Sequence, residues 1–192
     1  MNNNEKHPLE PFLPTNAKLL MLGSFPPSRI RWSMDFFYPN LQNDMWRIFG
    51  LIFFGEKDYF LTPDRKAFDK ERIISFLLEK GIALSDTATE VVRLKGNASD
   101  KFLEVVASIP LAEVLEKMPE CSAIAVTGQK AMDTILQIID CKEPVTGSYE
   151  NFVFEGRDMK LFRMPSSSRA YPKPIEGKAK AYEGMFQELG LL

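Results

Sequence analysis

Histidine and cysteine, the side chains that most often bind zinc, are scarce in this 192-residue sequence. His7 is the only histidine, and Cys121 and Cys141 are the only cysteines. An ordinary zinc site cannot be assembled from so few ligands, and we expect neither a metal nor a cofactor. His7 lies in a proline-rich leader that we expect to be disordered, which disfavours a Ser-His-Asp triad. Catalysis would therefore depend on carboxylates, amides, backbone dipoles or positioned water.

Long apolar runs and an excess of positive charge are also missing. No run approaches the about 18 apolar residues that a membrane-spanning helix needs. The first 16 residues are polar and proline-rich and do not resemble a secretory signal, so we expect a cytoplasmic protein. The net charge of −2 argues mildly against a dedicated nucleic-acid binder, although a local basic patch on an acidic protein is compatible with it.

What the sequence does contain is an alternation of short apolar runs and amphipathic segments. Buried strands are predicted at 17–23, 82–84 and 122–126, and helices at 43–54, 70–80, 111–117, 129–139 and 178–189. Strands that alternate with helices predict an α/β protein, a three-layer α/β/α sandwich with a mostly parallel central sheet. We expect residues 1–16 to form an extended N-terminal leader, packed on the surface or loose, and residues 17–192 to form a single domain.

Two further segments carry turn signals. Residues 151–154 and 159–162 alternate in polarity around Glu155-Gly156-Arg157-Asp158, which predicts a hairpin or a strand pair. A turn is predicted at Gly96-Asn97, followed by a helix that Ser99 or Asp100 would cap and that would end at Ile109-Pro110.

The stretch from Ala17 to Ile48 has the features of a ligand-binding segment. An apolar strand stops at Gly23-Ser24, a loop rich in proline, aromatic and arginine residues follows, and a helix then begins near Asn43. Open α/β folds bind ligands at the carboxyl ends of their parallel strands. The loops 23–43, 85–89, 127–129 and 165–172 are therefore expected to meet at one edge of the sheet.

Five motifs in these segments resemble motifs of the uracil-DNA glycosylase superfamily, particularly its hypoxanthine-DNA glycosylase-like and mismatch-specific branches. They are LGSFPPS (22–28), YPNLQNDMWRIFG (38–50), GIALSD (81–86), AVTGQKA (125–131) and MPSSSRAYP (164–172). The resemblance extends over roughly residues 17–190. It implies a glycosylase-like α/β domain that removes a damaged or mismatched base from DNA by cleaving its N-glycosidic bond.

The resemblance also implies site residues, with three departures from the family pattern. Phe25 stands where several branches carry a catalytic Asn or Asp, Met164 stands where others have His, and Arg169 replaces a more common proline. By analogy with the hypoxanthine-type branch, Asn43 is the remaining candidate for the catalytic amide. The implied base pocket consists of Ser24, Phe25, Phe36, Phe37, Tyr38 and Asp86. The implied DNA-phosphate or insertion loop consists of Pro165, Ser166, Ser167, Ser168, Arg169 and Lys173.

Each of these candidates also has a purely structural interpretation. Asn43 suits a helix N-cap as well as a catalytic amide. The aromatic residues suit loop packing as well as base stacking, and Asp86 is more typical of a helix cap than of a base ligand. The serines suit a capped turn as well as phosphate contacts, while Lys178 and Lys180 add positive charge beside them.

Three functions are compatible with this sequence. The first is a monofunctional glycosylase, acting as a monomer on DNA that carries a deaminated base such as uracil or hypoxanthine. The second is a non-catalytic relative that binds nucleic acid or nucleotides, which the absence of the first-motif Asn and the acidic composition both favour. The third is a small-molecule hydrolase on the same fold.

Overall fold

The computed structural model describes residues 4–94 and 102–192. Within them the strands are β1 (Asn4–Lys6), β2 (Leu19–Gly23), β3 (Ile82–Asp86), β4 (Ala88–Arg93), β5 (Leu103–Ser108), β6 (Ala123–Thr127), β7 (Ser148–Phe154) and β8 (Arg157–Met164). The α-helices are α1 (Met45–Phe54), α2 (Lys70–Lys80), α3 (Leu111–Glu116), α4 (Gln129–Ile135) and α5 (Ile175–Glu188). None of these helices is long and apolar enough to cross a membrane.

The larger sheet has five strands in the order β3-β2-β6-β8-β7. The pairs β3–β2, β2–β6 and β6–β8 are parallel, and only the edge strand β7 runs antiparallel to its neighbour. β2, β3 and β6 are buried along their whole length, as expected for strands covered on both faces. The predicted mostly parallel central sheet is confirmed.

Helices cover both faces of this sheet. The face that presents Leu19 and Met21 packs against α1, α2 and α5, in a core that includes Trp46 and Phe186. The opposite face, with Leu20 and Leu22, packs against α3 and α4. Successive residues of β2 therefore contribute to two separate cores, and the predicted three-layer sandwich is confirmed.

Local sequence signals account for two elements that match their predictions closely. At the start of α2 the Asp69 carboxylate accepts a hydrogen bond from the Arg72 N–H, and Gly81 ends the helix with φ of 66°. Between β7 and β8, Glu155 and Gly156 have φ values of 50° and 73°. Two residues at positive φ form the type of turn that joins twisted antiparallel strands, so the predicted hairpin is confirmed.

A second, three-stranded antiparallel sheet in the order β1-β4-β5 was not predicted. The expected helix before Ile109-Pro110 is wrong, because residues 103–108 form strand β5 and pair with β4. Val105 and Val106 favour this extended structure, and burial along β5 alternates as it does in a strand with one solvated face. The predicted turn at Gly96-Asn97 and the caps Ser99 and Asp100 lie outside the described residues.

The expectation of a disordered leader is also wrong for the residues that the structure describes. β1 pairs with β4, and the backbone of Phe12 exchanges two hydrogen bonds of 2.9 Å with Leu84. The Phe12 ring packs edge-to-face on Phe36, with 5.5 Å between ring centroids. This pairing holds His7 near the carboxyl end of β3.

Three helix boundaries differ from the predictions by two to four residues. α1 begins at Met45 and not at Asn43, because the backbone of Asn43 pairs with Ser168 in an antiparallel bridge instead of joining the helix. α4 ends at Ile135, after which the chain continues in tight turns. α5 begins earlier than predicted, at Ile175, directly after Pro174.

The packing of α1 generates a stability prediction. Phe49 is completely buried and its ring contacts those of Trp46, Phe76 and Phe186 edge-to-face. We expect Phe49→Ala to lower the free energy of unfolding by about 3–5 kcal/mol, because it removes apolar surface and leaves a cavity. Urea denaturation measures this change. Phe54→Ala, on the same helix but at a side chain that is 43% exposed, is the matched control. An equal loss in both variants would contradict the assigned orientation of α1.

Candidate active site

A cleft of about 910 Å³ opens at the carboxyl edge of the parallel sheet. The four loops that were expected to meet there all contribute to it. Its walls come from segments 23–27, 37–40, 42–43 and 166–172, together with Arg31, Asp86 and Thr127. The volume is in the range of sites that hold a small molecule or one nucleotide. The location follows from strand direction, because β2, β3, β6 and β8 all end at this edge.

One end of the cleft is aromatic. Phe25, Phe37 and Tyr38 all line it. Phe25 also packs against Ala88 in a small apolar cluster beside β4, which fixes the position of its ring. The third candidate of the FFY run, Phe36, does not line the cleft; it lies in the core beside Trp46, and we assign it no contact with a ligand. Three aromatic side chains therefore remain as stacking surfaces.

Tyr38 and Gly23 bring the aromatic end close to the strand ends. Tyr38 has φ of 51°, an uncommon conformation for a bulky residue, and its hydroxyl lies 3.4 Å from Oγ1 of Thr127. A Cβ atom on Gly23 would lie 2.5 Å from Oδ1 of Asp86 and 3.4 Å from the Tyr38 hydroxyl. Any side chain at position 23 would therefore displace the Asp86 carboxylate.

Asp86 lies at the end of β3 and is only 7% exposed. It is followed by β4 and not by a helix, so the interpretation of Asp86 as a helix cap is wrong. Its Oδ2 atom is 2.8 Å from Nε2 of His7, which is 10% exposed at its side chain. His7, expected in a disordered leader, thus reaches the wall of the cleft and contacts one of its carboxylates.

Aromatic rings and backbone groups enclose the imidazole of His7. Its centroid lies 5.1 Å from that of Phe25 and 6.1 Å from that of Phe37. Nδ1 lies 2.8 Å from the Leu9 carbonyl oxygen and 3.1 Å from the Leu9 nitrogen, so this side of the ring has a partner in either protonation state. Burial lowers the pKa of His7, but the hydrogen bond and the negative charge of Asp86, together with the Leu9 backbone and the charge of Glu10, outweigh it. The pKa is therefore raised above its ordinary value.

Asn43 lines the opposite part of the cleft, where α1 meets the late loop (residues 165–172). Its Oδ1 atom accepts a hydrogen bond of 2.9 Å from the Met45 N–H. Its backbone forms an antiparallel bridge with Ser168. The interpretation of Asn43 as the helix N-cap is wrong by one residue, because Asp44 occupies the N-cap position, but the Asn43 side chain does cap the Met45 N–H of the first turn. The Asn43 amide nitrogen is not used in that cap, so it can still donate toward a ligand.

Ser166, Ser167 and Ser168 lie in the late loop and line the cleft with Arg169. The Ser168 N–H donates to Oγ of Ser166, and the Ala170 N–H donates to Oγ of Ser168. Pro165 is buried, and its carbonyl accepts a hydrogen bond from Tyr182. Lys173 is exposed but does not line the cleft. Ser24, from the first loop, does line it.

The buried Asp44 carboxylate connects α1 to the late loop and to α5. Its Oδ1 atom lies 2.9 Å from Nε of Arg169, and its Oδ2 atom lies 3.7 Å from Nζ of Lys178. The Lys178 ammonium also donates to the Ser168 carbonyl at 2.8 Å. The interpretation of Lys178 as surface positive charge is wrong, because its side chain is only 1% exposed and supports the loop from beneath.

A second, charged cleft of about 530 Å³ lies beside Asp44 and Arg169. The cationic side chains Arg47, Lys57, Arg65 and Arg169 line it, with Asp44 and Asp58 as the acidic ones. Four cations against two anions leave this surface locally positive on a chain whose net charge is negative. The net negative charge of the chain was compatible with a local basic patch, and such a patch is present beside the late loop.

Comparison with solved structures supports the fold. The solution NMR structure of a candidate uracil DNA glycosylase from Methanosarcina acetivorans superposes with a TM-score of 0.63. The match covers 96% of this chain and 98% of the other, at 22% sequence identity. No protein-family model matches the sequence, and no curated protein does. The chain therefore has an α/β fold similar to that of this protein.

Sequence reasoning missed His7 as a residue of the site. Its partner Asp86 is 79 positions away, and no periodicity connects the two residues. The available signal was the composition of the leader, since a segment with Leu9, Phe12 and Leu13 carries enough apolar surface to pack. Thr127 and Arg31 also line the cleft and were not singled out.

The Asp44 contacts predict a large effect on stability. Asp44→Ala would leave the ammonium of Lys178 buried without its carboxylate, and we expect the free energy of unfolding to fall by about 3–5 kcal/mol. Asp35→Ala is the matched control, because Asp35 is 64% exposed at its side chain and pairs with Arg29. We expect that variant to lose less than about 1 kcal/mol. Thermal and urea unfolding of both variants measure the difference; similar losses would contradict the role of Asp44.

The His7–Asp86 contact predicts the titration of a single resonance. Because His7 is the only histidine, its imidazole protons can be followed by NMR without assignment of other histidines. We expect a midpoint above the ordinary value of about 6.5. The protonated form is favoured in the folded state, so this pair stabilises the fold below pH 6.5 and loses that contribution as pH rises through the raised pKa.

The variant Asp86→Asn distinguishes the effect of burial on the pKa of His7 from the effect of the Asp86 charge. The variant removes the negative charge but leaves the burial, so the midpoint should fall below the ordinary histidine value. A midpoint that is unchanged by Asp86→Asn would contradict the contact between the two side chains.

Proposed function

We propose that this protein is a monofunctional DNA glycosylase that removes a deaminated base. The observation that carries the proposal is the convergence of four strand-end loops on one cleft, with aromatic side chains at one end and an amide and serines at the other. This distribution suits a flipped nucleotide, whose base is flat and apolar on its faces and whose phosphate is anionic. The description of the Methanosarcina acetivorans protein and the five sequence motifs support the same activity.

The proposed reaction is hydrolysis of the N-glycosidic bond. The bond between C1′ and the base nitrogen breaks, and its electron pair leaves with the base. The oxygen of a water molecule forms a bond to C1′, one proton of that water is released, and the departing base gains a proton. Positive charge develops on the sugar and negative charge on the base, so dipoles that match these charges accelerate the step.

Asn43 is the proposed catalytic residue. Its Oδ1 atom is held by the Met45 N–H, which fixes the rotamer and directs the amide nitrogen away from the helix. The bridge to Ser168 holds the backbone of Asn43 against the late loop. An amide held from two sides is preorganised to donate to a departing base or to place the attacking water.

The base is proposed to lie at the aromatic end of the cleft. Phe25, Phe37 and Tyr38 provide faces on which a base can stack, and stacking contributes about 1–3 kcal/mol per base. Asp86 and Ser24 lie at the strand ends beside them and can meet the polar edge of the base. Aromatic faces with polar groups beside them favour a base as the ligand and not an isolated sugar or phosphate.

The DNA backbone is proposed to cross the late loop. Ser166, Ser168 and Arg169 lie on the rim, and the cleft that contains Arg47 and Arg65 continues the positive surface. Contacts of this kind position a nucleic acid without reading its sequence. We propose that the protein acts on such DNA as a monomeric cytoplasmic enzyme, and that the leader, which pairs with β3 and β4, belongs to the same single domain as residues 17–192.

A non-catalytic binding protein is the second candidate, and one observation favours it. Phe25 packs in an apolar cluster at the position where several related branches carry a catalytic Asn or Asp. Without that group, catalysis depends on Asn43 alone among the proposed catalytic side chains. The two candidates differ in base release and agree in DNA binding.

Base release tests the proposed activity. Duplex and single-stranded oligonucleotides that contain uracil, hypoxanthine or xanthine are incubated with the protein, and alkali then cuts the strand at abasic sites. We expect cleavage on at least one of these substrates, and a loss of about 100-fold or more in Asn43→Ala, as for removal of a preorganised donor. Asn151→Ala is the matched control, since Asn151 is exposed on β7, outside the cleft.

The outcomes separate the candidates. Wild-type rates in a folded Asn43→Ala protein would remove Asn43 from the mechanism. An absence of cleavage with DNA binding that weakens steeply as salt rises would favour the non-catalytic binder. An absence of both would contradict any role on DNA.

A further inference from the structure

The carboxylate of Asp86 has one oxygen on each side of the cleft wall. Oδ2 lies 2.8 Å from Nε2 of His7, behind the wall. Oδ1 lies above Gly23, 2.5 Å from the position that a Cβ atom would occupy, and both Gly23 and Asp86 line the cleft. One oxygen is thus held by the imidazole while the other adjoins the aromatic end. A buried carboxylate beside aromatic rings suits a nitrogenous base with an N–H to donate.

We propose that His7 and Asp86 act as one unit that selects the deaminated base: Asp86 accepts the ring N–H of the base, and a proton on His7 offsets the negative charge that the base carries as it leaves. This inference rests on the proposed glycosylase function. Asp86 is the residue that would touch the base, and His7 is a positioning residue that acts through Asp86.

The selection follows from the chemistry of deamination. Cytosine and adenine present a lone pair at the ring nitrogen of their pairing edge, whereas uracil and hypoxanthine present an N–H flanked by a carbonyl group. A carboxylate attracts the N–H and repels the lone pair. A buried acceptor such as the Asp86 carboxylate needs a hydrogen-bond donor from the ligand. A base without that donor is rejected, because its binding would leave the acceptor unpaired.

The charge of the pair determines how well the base can leave. A lone carboxylate beside a base that gains negative charge would oppose the reaction, since like charges repel strongly where water is excluded. A protonated imidazole at 2.8 Å makes the pair neutral overall. The leaving base should therefore depart faster when His7 is protonated.

Other titratable or charged side chains also lie near His7 and Asp86. Glu10, in the same segment, adds a negative charge that also favours the protonated imidazole. On β4, Arg93 lies with its guanidinium 5.5 Å from the Phe25 ring and forms a 2.6 Å ion pair with Glu5 of β1. Tyr38 contributes a hydroxyl beside Gly23. Asp86 is therefore the charged group in direct contact with the imidazole.

The test is the pH dependence of single-turnover base release in wild type and in His7→Gln. The glutamine amide can still donate to Asp86 but cannot carry a charge. We expect the wild-type rate to fall about five- to tenfold as pH rises through the titration of His7, and the variant to remain at the lower rate throughout. Glu10→Gln is the matched control and should keep the wild-type profile with a lower midpoint. A profile shared by wild type and His7→Gln would overturn the role of His7.

Selectivity is measured separately from catalysis. The His7 imidazole resonance reports binding of deoxyinosine, deoxyuridine, deoxyadenosine or deoxycytidine to the wild-type protein, including a protein that releases no base. In these nucleosides the sugar blocks the other ring N–H, so the deaminated and parent bases differ at the pairing edge. We expect tighter binding of each deaminated base than of its parent, and a loss of about tenfold in that preference in Asp86→Asn, whose amide donates as well as accepts. Equal binding of deaminated and parent bases overturns the proposal. Selective binding without base release would contradict the glycosylase function but support the recognition by Asp86.

Discussion

Parallel pairing of buried strands is the constraint on which the rest of this structure depends. β2 lies between β3 and β6, with Leu22 level with Ser85 on one side and Val126 on the other. Because parallel strands end at the same edge, this register brings Gly23, Asp86 and Thr127 together. A shift of one residue would turn every side chain of β2 to the opposite core. The two apolar cores thus fix the register, and the register fixes the cleft.

Burial of charge on both sides of the cleft is the second constraint. Asp44 and Lys178 on one side, and Asp86 and His7 on the other, are polar groups held in largely water-excluded positions. Such groups contribute little to stability relative to apolar residues of the same size, but removing one partner is costly. Their placement therefore reflects the geometry of the cleft more than the stability of the fold.

How much of the fold and of the cleft the sequence predicts depends on how far apart along the chain the interacting residues lie. Helix α2 was predicted with its bounds because its signals are local: an amphipathic run ends at Gly81, and the structure adds a cap by Asp69 within one turn of its start. The four loops of the cleft were predicted because strand direction alone brings them together. Residues 103–108 were predicted as part of a helix although Val105 and Val106 favour a strand, because no local signal reports their pairing with β4. Phe36 and Phe37 could not be told apart, since adjacent residues in a loop have no fixed period.

His7 shows most clearly why part of the site could not be read from the sequence. Its position depends on β1 pairing with β4 and on Phe12 pairing with Leu84, contacts between segments some 70 to 90 residues apart. These contacts close the N-terminal segment over the end of β3, so the leader and the cleft form together. The same segment supplies the only histidine of the chain to a buried carboxylate. A fold that orders its N-terminus at this edge therefore gives the cleft a titratable group that the central sheet alone does not carry.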